Sequence, residues 1–327
     1  MRKINYGLLA LLALLLVTTS SCGDAERQTY EGPNYILFSD TLTVLAVQNN
    51  EEVFDIPVAA TQACDYDRTL AVEVIDQKSN AIEGKHYTIE SNTITIKAGE
   101  RSANVRIRGN YDAIAATDSL GLTLGLLTDK NSQWGMYDNN YEAKVILQKC
   151  CPFSMELFAP YESDIEGQHG FAVVTSTYMQ EFMPNVKNRL VKTEADPEEE
   201  NTIIMKDFFY DGFDVKIHFT TNDILNPLIE MEEQRFASTA EAFGTNYGDG
   251  YIHLYQPSSG VSYYSACEKF IFQYFTLYVP GMAGNNVVGT FASAIEWVEH
   301  DEAKKIYLEG SMLISESVKT LFEREDN

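Results

Sequence analysis

The strongest constraint on this chain is a two-residue alternation of apolar and polar side chains that recurs in short runs. In SANVRIRG (102–109), Val105 and Ile107 share one side, and Asn104, Arg106 and Arg108 the other. Successive side chains of an extended strand point to opposite faces, so this pattern suits a strand with one face in a core and the other in water. Similar runs occupy 34–40, 52–60, 69–76, 92–98, 120–127 and 141–149, with Ala98-Gly99-Glu100 as a short turn between two of them. Short strands at this density predict a β-sandwich over 34–149.

A second domain is expected over 150–327. It opens at CCPF (150–153), where Pro152 discourages continued strand pairing. Strand-like runs follow at 186–193, 201–209, 214–221, 227–236, 250–256, 268–279 and 287–298, and ADPEEE (195–200) and YGDGY (247–251) supply turns. In DVKIHFTT, Val215, Ile217 and Phe219 share a face opposite Lys216 and His218. EKFIFQYFTLYV (268–279) is apolar on both faces, which predicts a central strand. AKKIYLEGSMLIS (303–315) is expected to pair back onto 289–298 as a hairpin, and 316–325 to form a short helix.

The stretch AIEGKHYTIESNTITIKAGERSANVRIRG (81–109) resembles the Calx-β module. Gly84, Tyr87, Ile94, Ile96, Gly99, Val105 and Ile107 fall on the module's Gly-x-Asp-Tyr segment and the alternating strands after it. That resemblance implies an immunoglobulin-like sandwich. The full expectation is an all-β chain: an N-terminal immunoglobulin-like, Calx-β-like sandwich followed by a second antiparallel β-sandwich or barrel. Calx-β modules hold Ca²⁺ through strand-end acids, and Asp65, Asp67 and Asp112 are the acids on offer. His86, however, stands where the family carries Asp. Ca²⁺ takes about six to eight oxygens, so neither a metal nor a cofactor is expected.

The first 33 residues address location. Arg2 and Lys3 precede the apolar run GLLALLALLLV (7–17), and TTSS leads to Cys22. Eleven helical residues rise about 16 Å, well short of a bilayer core, so a signal peptide over 1–21 is expected. TTSSC resembles a bacterial lipobox, and Asp24 and Glu26 resemble the acidic export signal of Bacteroidota surface lipoproteins. This implies lipidation at Cys22, a tether over 22–33 and a cell-surface position on the outer membrane, with the membrane as a partner through the anchor. The whole arrangement resembles uncharacterised two-domain lipoproteins that accompany nutrient-uptake systems, so an outer-membrane transporter complex is a further expected partner.

Composition narrows the ligand. The formal net charge is −24 at pH 7, and more negative once Arg2 and Lys3 are removed. Such a surface repels phosphate backbones, which excludes nucleic acid. Of five cysteines, Cys64, Cys150, Cys151 and Cys267 remain after Cys22, and they allow three full pairings that spacing does not rank.

Catalytic patterns are absent from the sequence. The histidines at 86, 169, 218, 253 and 300 form no HExxH, and neither G-x-S-x-G nor a phosphate-binding loop occurs. Glu230 and Glu232 would be same-face neighbours about 6.5 Å apart on a strand, but acids are too abundant here for such a pair to carry meaning. Aromatic residues are more telling, because sugars stack their C–H faces on rings while a polar rim bonds the hydroxyls. Trp134, Tyr137 and Tyr141 lie in one loop-like stretch, Tyr247, Tyr251 and Tyr255 flank a glycine-rich turn, and Tyr263 and Tyr264 follow another. These eight are the candidate ligand-binding residues. The expectation is a non-enzymatic lipoprotein that binds an extracellular glycan, with an adhesive protein–protein role as the alternative and a hydrolase third.

Overall fold

The computed structural model describes residues 30–128, 141–163, 167–282, 284 and 286–326. Two large apolar cores draw on residues between Ile36 and Leu147 and between Phe158 and Ile295, and a smaller third joins Phe171 and Leu190 to residues 303–322. Among the described residues no helix is long and apolar enough to cross a membrane.

The first core lies between two sheets. Its strands are β1 (Ile36–Phe38), β2 (Leu42–Val47), β3 (Val53–Ala60), β4 (Arg68–Val74), β5 (Tyr87–Ile89), β6 (Thr93–Ile96), β7 (Ser102–Gly109), β8 (Leu120–Leu127) and β9 (Glu142–Lys149). They order as β1-β3-β7-β5 and β2-β9-β8-β4-β6. Only β2 and β9 pair in parallel among the described strands of this unit; the other pairs are antiparallel. Phe38, Ile56, Val105 and Ile107 face Leu122, Leu124, Val145 and Leu147 across the middle, all fully buried. The unit is an immunoglobulin-like sandwich.

Its acids are spent locally. Asp67 accepts from the Lys97 ammonium at 2.8 Å and the Ala98 amide at 2.9 Å. The hydrogen bonds from Lys97 and then Ala98 hold its carboxyl below the usual carboxylate range. Asp112 follows the far end of β7, about 25 Å of strand from the end beside Asp65 and Asp67, so these three do not converge. His86 is buried, and its Nδ1 accepts from the Ile82 amide at 3.0 Å. It closes a turn.

The remaining strands form one twelve-stranded sheet. They are β10 (Tyr161–Ser163), β11 (Gly167–Ser176), β12 (Asn188–Ala195), β13 (Thr202–Lys206), β14 (Val215–Phe219), β15 (Ile229–Glu230), β16 (Gln234–Ser238), β17 (Tyr251–Tyr255), β18 (Tyr263–Ser265), β19 (Phe270–Tyr278), β20 (Val287–Val298) and β21 (Leu313–Ile314). The main path runs β15-β14-β13-β12-β11-β20-β19-β17-β16, with β18 beside the first half of β19. The sheet rolls until its ends meet. Leu228 bridges Tyr263, the Tyr264 amide donates to Pro227, and the Ile229 amide donates to Ser262. At a second seam the Gln234 side chain accepts from the Lys216 amide and donates to its carbonyl, filling in for a missing ladder bond. This closure makes the second unit an antiparallel barrel, which spares its long strands an open edge.

Inside it, Ile203, Ile217, Phe219, Ile271, Phe275 and Leu277 are buried, together with Tyr178 and Met179 of the otherwise exposed helix α1 (Thr177–Phe182). A further short helix, α2 (Thr239–Phe243), links β16 to β17 and ends at Gly244 with φ +75°. β19 is the central strand its apolar faces predict. The run at 227–236 is split between β15 and β16.

One expectation fails. Residues 303–315 do not pair back onto 289–298. They lie mostly in α3 (His300–Glu309), and only Leu313–Ile314 extend, parallel to β12. Ala303, Ile306 and Tyr307 recur at helical spacing and pack on Phe171 and Leu190 with Val318, Leu321 and Phe322 of α4 (Glu316–Glu325). Gly310 at φ +59° ends α3. The terminal helix α4 is where the sequence places it.

Two carboxylates from the β13–β14 turn cap α4: Asp207 accepts from the Ser317 amide at 2.8 Å and Asp211 from the Glu316 amide at 3.2 Å. Buried Arg189 binds Asp211 and donates to the Asp207 carbonyl. Burial opposes ionisation of Asp207, yet the amides of Gly212 and Ser317, with Arg189 beyond them, outweigh it and hold the carboxyl below the usual range. A carboxyl depressed on folding stabilises above its unfolded pKa, and that contribution is lost as pH falls through the folded value. Asp207→Asn is therefore expected to destabilise at neutral pH, with the gap to wild type closing below about pH 4. Thermal melts across that range check it; a gap independent of pH would place the effect elsewhere.

Candidate functional site

The junction of the two units carries a cleft of about 760 Å³. Ligand pockets usually measure about 300–1,000 Å³ and combine apolar walls with a few convergent polar groups. Three segments build most of it, the strand end and linker at 148–153, the β14–β15 loop at 221–228, and β18 with its flanks at 261–268, and Ala116 and Asn201 complete the lining.

Each wall is held by its own chemistry. Asp223 accepts from the Leu225 amide at 2.9 Å and the Asn226 side chain at 2.6 Å, fixing the loop that carries Asn226 and Leu228. The bond from Asn226, then that from Leu225, keeps the Asp223 carboxyl below the usual range. A Cys151–Cys267 disulfide ties the linker to the β18–β19 turn, leaving Cys64 and buried Cys150 free. Burial pushes the Cys150 thiol up, which makes it a poor nucleophile. Tyr111 of the sandwich donates to the Cys151 sulfur at 2.9 Å and carries the Lys149 ammonium 4.0 Å over its ring.

The lining is apolar and exposed at one side: Val261, Tyr263 and Leu228 show 61%, 41% and 38% of their surface. Thr221, Asn201, Asn226 and Gln148 provide neutral donors and acceptors nearby, and Glu268 is the one carboxylate among the lining residues. This arrangement suits contact with a hydroxylated, partly apolar ligand. Acid–base hydrolysis of a glycoside requires two carboxyls about 5 to 9.5 Å apart. Among the described residues, no group of three or more His, Cys, Asp or Glu stands close enough to hold a metal ion. His218 bonds Thr202, and His253 sits between Asp249 and Glu233.

The aromatic candidates among the described residues do not all converge. Cys22, Trp134 and Tyr137 lie outside the described residues. Tyr141 packs against the sandwich core. Tyr264 is only 4% exposed and meets Phe219 edge-on at 5.0 Å, because its neighbour Tyr263 takes the outward parity of β18. Tyr251 lies beneath the Arg235 guanidinium at 4.0 Å, Tyr255 meets Tyr278 at 5.6 Å, and exposed Tyr247 stands by Phe243. Among the described candidates Tyr263 and Tyr264 line the cleft, and Tyr263 is the exposed one. Sequence reading missed Val261, Leu228 and Asn226, whose one local signal is the Asn226-Pro227 turn beside a short strand.

Residues 137–309 match the family model described as a domain of unknown function, DUF4984. No curated protein matches the sequence. Among solved structures, a protein of unknown function from Bacteroides ovatus is 12% identical with a TM-score of 0.32, covering 80% of this chain and 89% of its own. The apo-form Calx CBD1 domain is 14% identical with a TM-score of 0.29, covering 36% of this chain and 98% of its own. An auxiliary nutrient binding protein from Bacteroides thetaiotaomicron is 14% identical with a TM-score of 0.27, covering 79% of this chain and 91% of its own.

Proposed function

For this chain, which belongs to the DUF4984 family, we propose a non-catalytic binding role: the junction cleft takes a neutral glycan outside the cytoplasm. The observation that carries this reading is the lining itself, an outward Tyr263 ring and exposed Leu228 and Val261 set among amide and hydroxyl side chains. A pyranose has the same two characters, an apolar C–H face and a rim of hydroxyls. The net charge of −24 works against sulfated, phosphorylated or uronate ligands. A single lining carboxylate supports capture over cleavage.

Acyl chains on Cys22 would hold the protein at the outer-membrane surface, with the sandwich as a spacer and the cleft presented to the medium beside an uptake complex. More than one chain is needed for stable anchoring.

The test is affinity electrophoresis through gels containing galactomannan, xyloglucan, laminarin or amylopectin. At least one should retard the wild-type protein, and Tyr263→Ala should weaken that binding by about five- to tenfold, the worth of one stacked ring. No retardation across the panel would sink the reading.

A further inference from the structure

The outer face of the barrel is covered unevenly. Helices α3 and α4 pack over β11 and β12 through Phe171 and Leu190, and no β19 residue belongs to that apolar layer. β19 itself alternates from Phe270 to Phe275, and Thr276 beyond them is buried. Ile271, Gln273 and Phe275 are fully buried inside, while Phe270, Phe272, Tyr274 and Tyr278 stand half-buried on the outside. The register places Tyr263 of β18 opposite Phe272, and Tyr255 of β17 opposite Thr276.

Three of these rings touch: Tyr263 and Phe272 lie 5.7 Å apart with planes 31° apart, Phe272 and Tyr274 meet edge-on at 5.1 Å with planes 83° apart, and Gly260 rests against one side of Tyr274. On the other flank β20 sets only Thr290, Ala292 and Ala294 opposite Thr276, Tyr274 and Phe272. The rings therefore rise above a low shoulder. From Phe272 to Tyr278 the strand runs about 20 Å, at roughly 6.7 Å per alternate residue, with buried Thr276 in place of a ring between Tyr274 and Tyr278. Tyr263 belongs both to this row and to the cleft.

Charge around the row is acidic or already matched. Glu233 bonds the Tyr278 hydroxyl and so pushes its pKa up to about 12. Lys269 is held by Glu299 at 2.9 Å and Arg235 by the Tyr251 ring. Exposed Glu268 and Glu296 lie near the Phe270 end.

We propose that cleft and row act as one surface for an extended neutral polysaccharide, whose end or branch enters the cleft at Tyr263 while successive sugar rings lie along Phe272 and Tyr274 towards Tyr278. This rests on the glycan reading of the cleft and adds chain length as the quantity being recognised. A short saccharide fills the cleft alone; a polymer gains the row, several sugar rings long, in the same binding event. An anionic polymer meets uncompensated acids along the way.

The experiment is calorimetric titration with a disaccharide-to-octasaccharide series cut from whichever panel polysaccharide retards the protein, with polygalacturonate as the acidic control. Affinity should climb with length. Phe272→Ala and Tyr274→Ala should each remove about five- to tenfold from octasaccharide affinity and leave the disaccharide unchanged. Phe272→Tyr, which keeps a ring, should bind as wild type and separates loss of stacking from loss of fold. Affinity independent of length overturns the proposal. So does an octasaccharide indifferent to both alanine variants yet dependent on Tyr263, an outcome that leaves the cleft reading standing. Polygalacturonate binding as well as the neutral chains, or the row capturing a protein partner in place of sugar, overturns it too. A wild-type protein that binds nothing in the panel fails the cleft reading first.

Discussion

Replacing both Cys151 and Cys267 by alanine is expected to destabilise the barrel by about 4–5 kcal/mol, with the sandwich left nearly untouched. The bond spans 116 residues of sequence, from the linker after β9 to the turn before β19. In the chain-entropy model a closed loop of about that length removes close to 5 kcal/mol of freedom from the unfolded chain, and natural disulfides give about 2–5 when removed. Nearly all of the loop is barrel sequence, β10 to β18, so the unfolded barrel is the state that gains freedom. The sandwich core ends at Leu147 and holds neither cysteine. Urea unfolding should thus show a barrel transition moved down by about 2 M, at the slope usual for a unit of this size. Trp297 reports on the barrel from beside Phe158. A shift below about half a molar would mean that the unfolded barrel is already compact without the bond.

How much of this was legible in the sequence follows from which faces are wet. β7 could be read because Val105 and Ile107 enter a core while Arg106 and Arg108 meet solvent. β11 escaped because it is covered on both sides: Ala172 and Val174 line the barrel, and Phe171 and Val173 lie under the helices. No polar face remained to mark a period, and a glycine stands within it. α3 was mistaken for strand because Ile306, Tyr307 and Leu308 sit in one run, and their helical spacing shows only once Ala303 is counted with them. The cleft was out of reach for another reason. Its walls come from three segments more than 30 residues apart, brought together by a disulfide partner choice that spacing leaves open. The doublet Tyr263-Tyr264 hid a similar division, since strand parity gives one ring to solvent and the other to the core.

Phe158→Ala is expected to cost the barrel about 3–5 kcal/mol, the range for deleting a fully buried aromatic ring. Phe158 lies where the chain, having left the sandwich, plugs the barrel. Its ring stacks on Phe219 at 4.5 Å and meets Trp297 edge-on at 4.8 Å, with Phe153 and Tyr264 about its rim. Its carbonyl accepts from Trp297 Nε1 at 2.8 Å and Thr193 Oγ1 at 2.6 Å, so the backbone is held as firmly as the ring. Gly170 admits this segment: a Cβ there would lie 2.6 Å from the Phe158 carbonyl oxygen. Collapse is therefore restricted, and the deleted ring should leave a cavity whose cost adds to the lost transfer energy. Phe153→Ala makes the useful comparison, because its ring is half-exposed and lines the cleft. It should cost about 1–2 kcal/mol, in proportion to its smaller burial, while Phe158→Ala spares any ligand contact. If both variants lowered the barrel's urea midpoint equally, the plug would not be organised around Phe158. If Phe153→Ala weakened sugar binding without that loss, the two aromatics divide the segment's work, one holding the barrel end closed and the other facing the cleft.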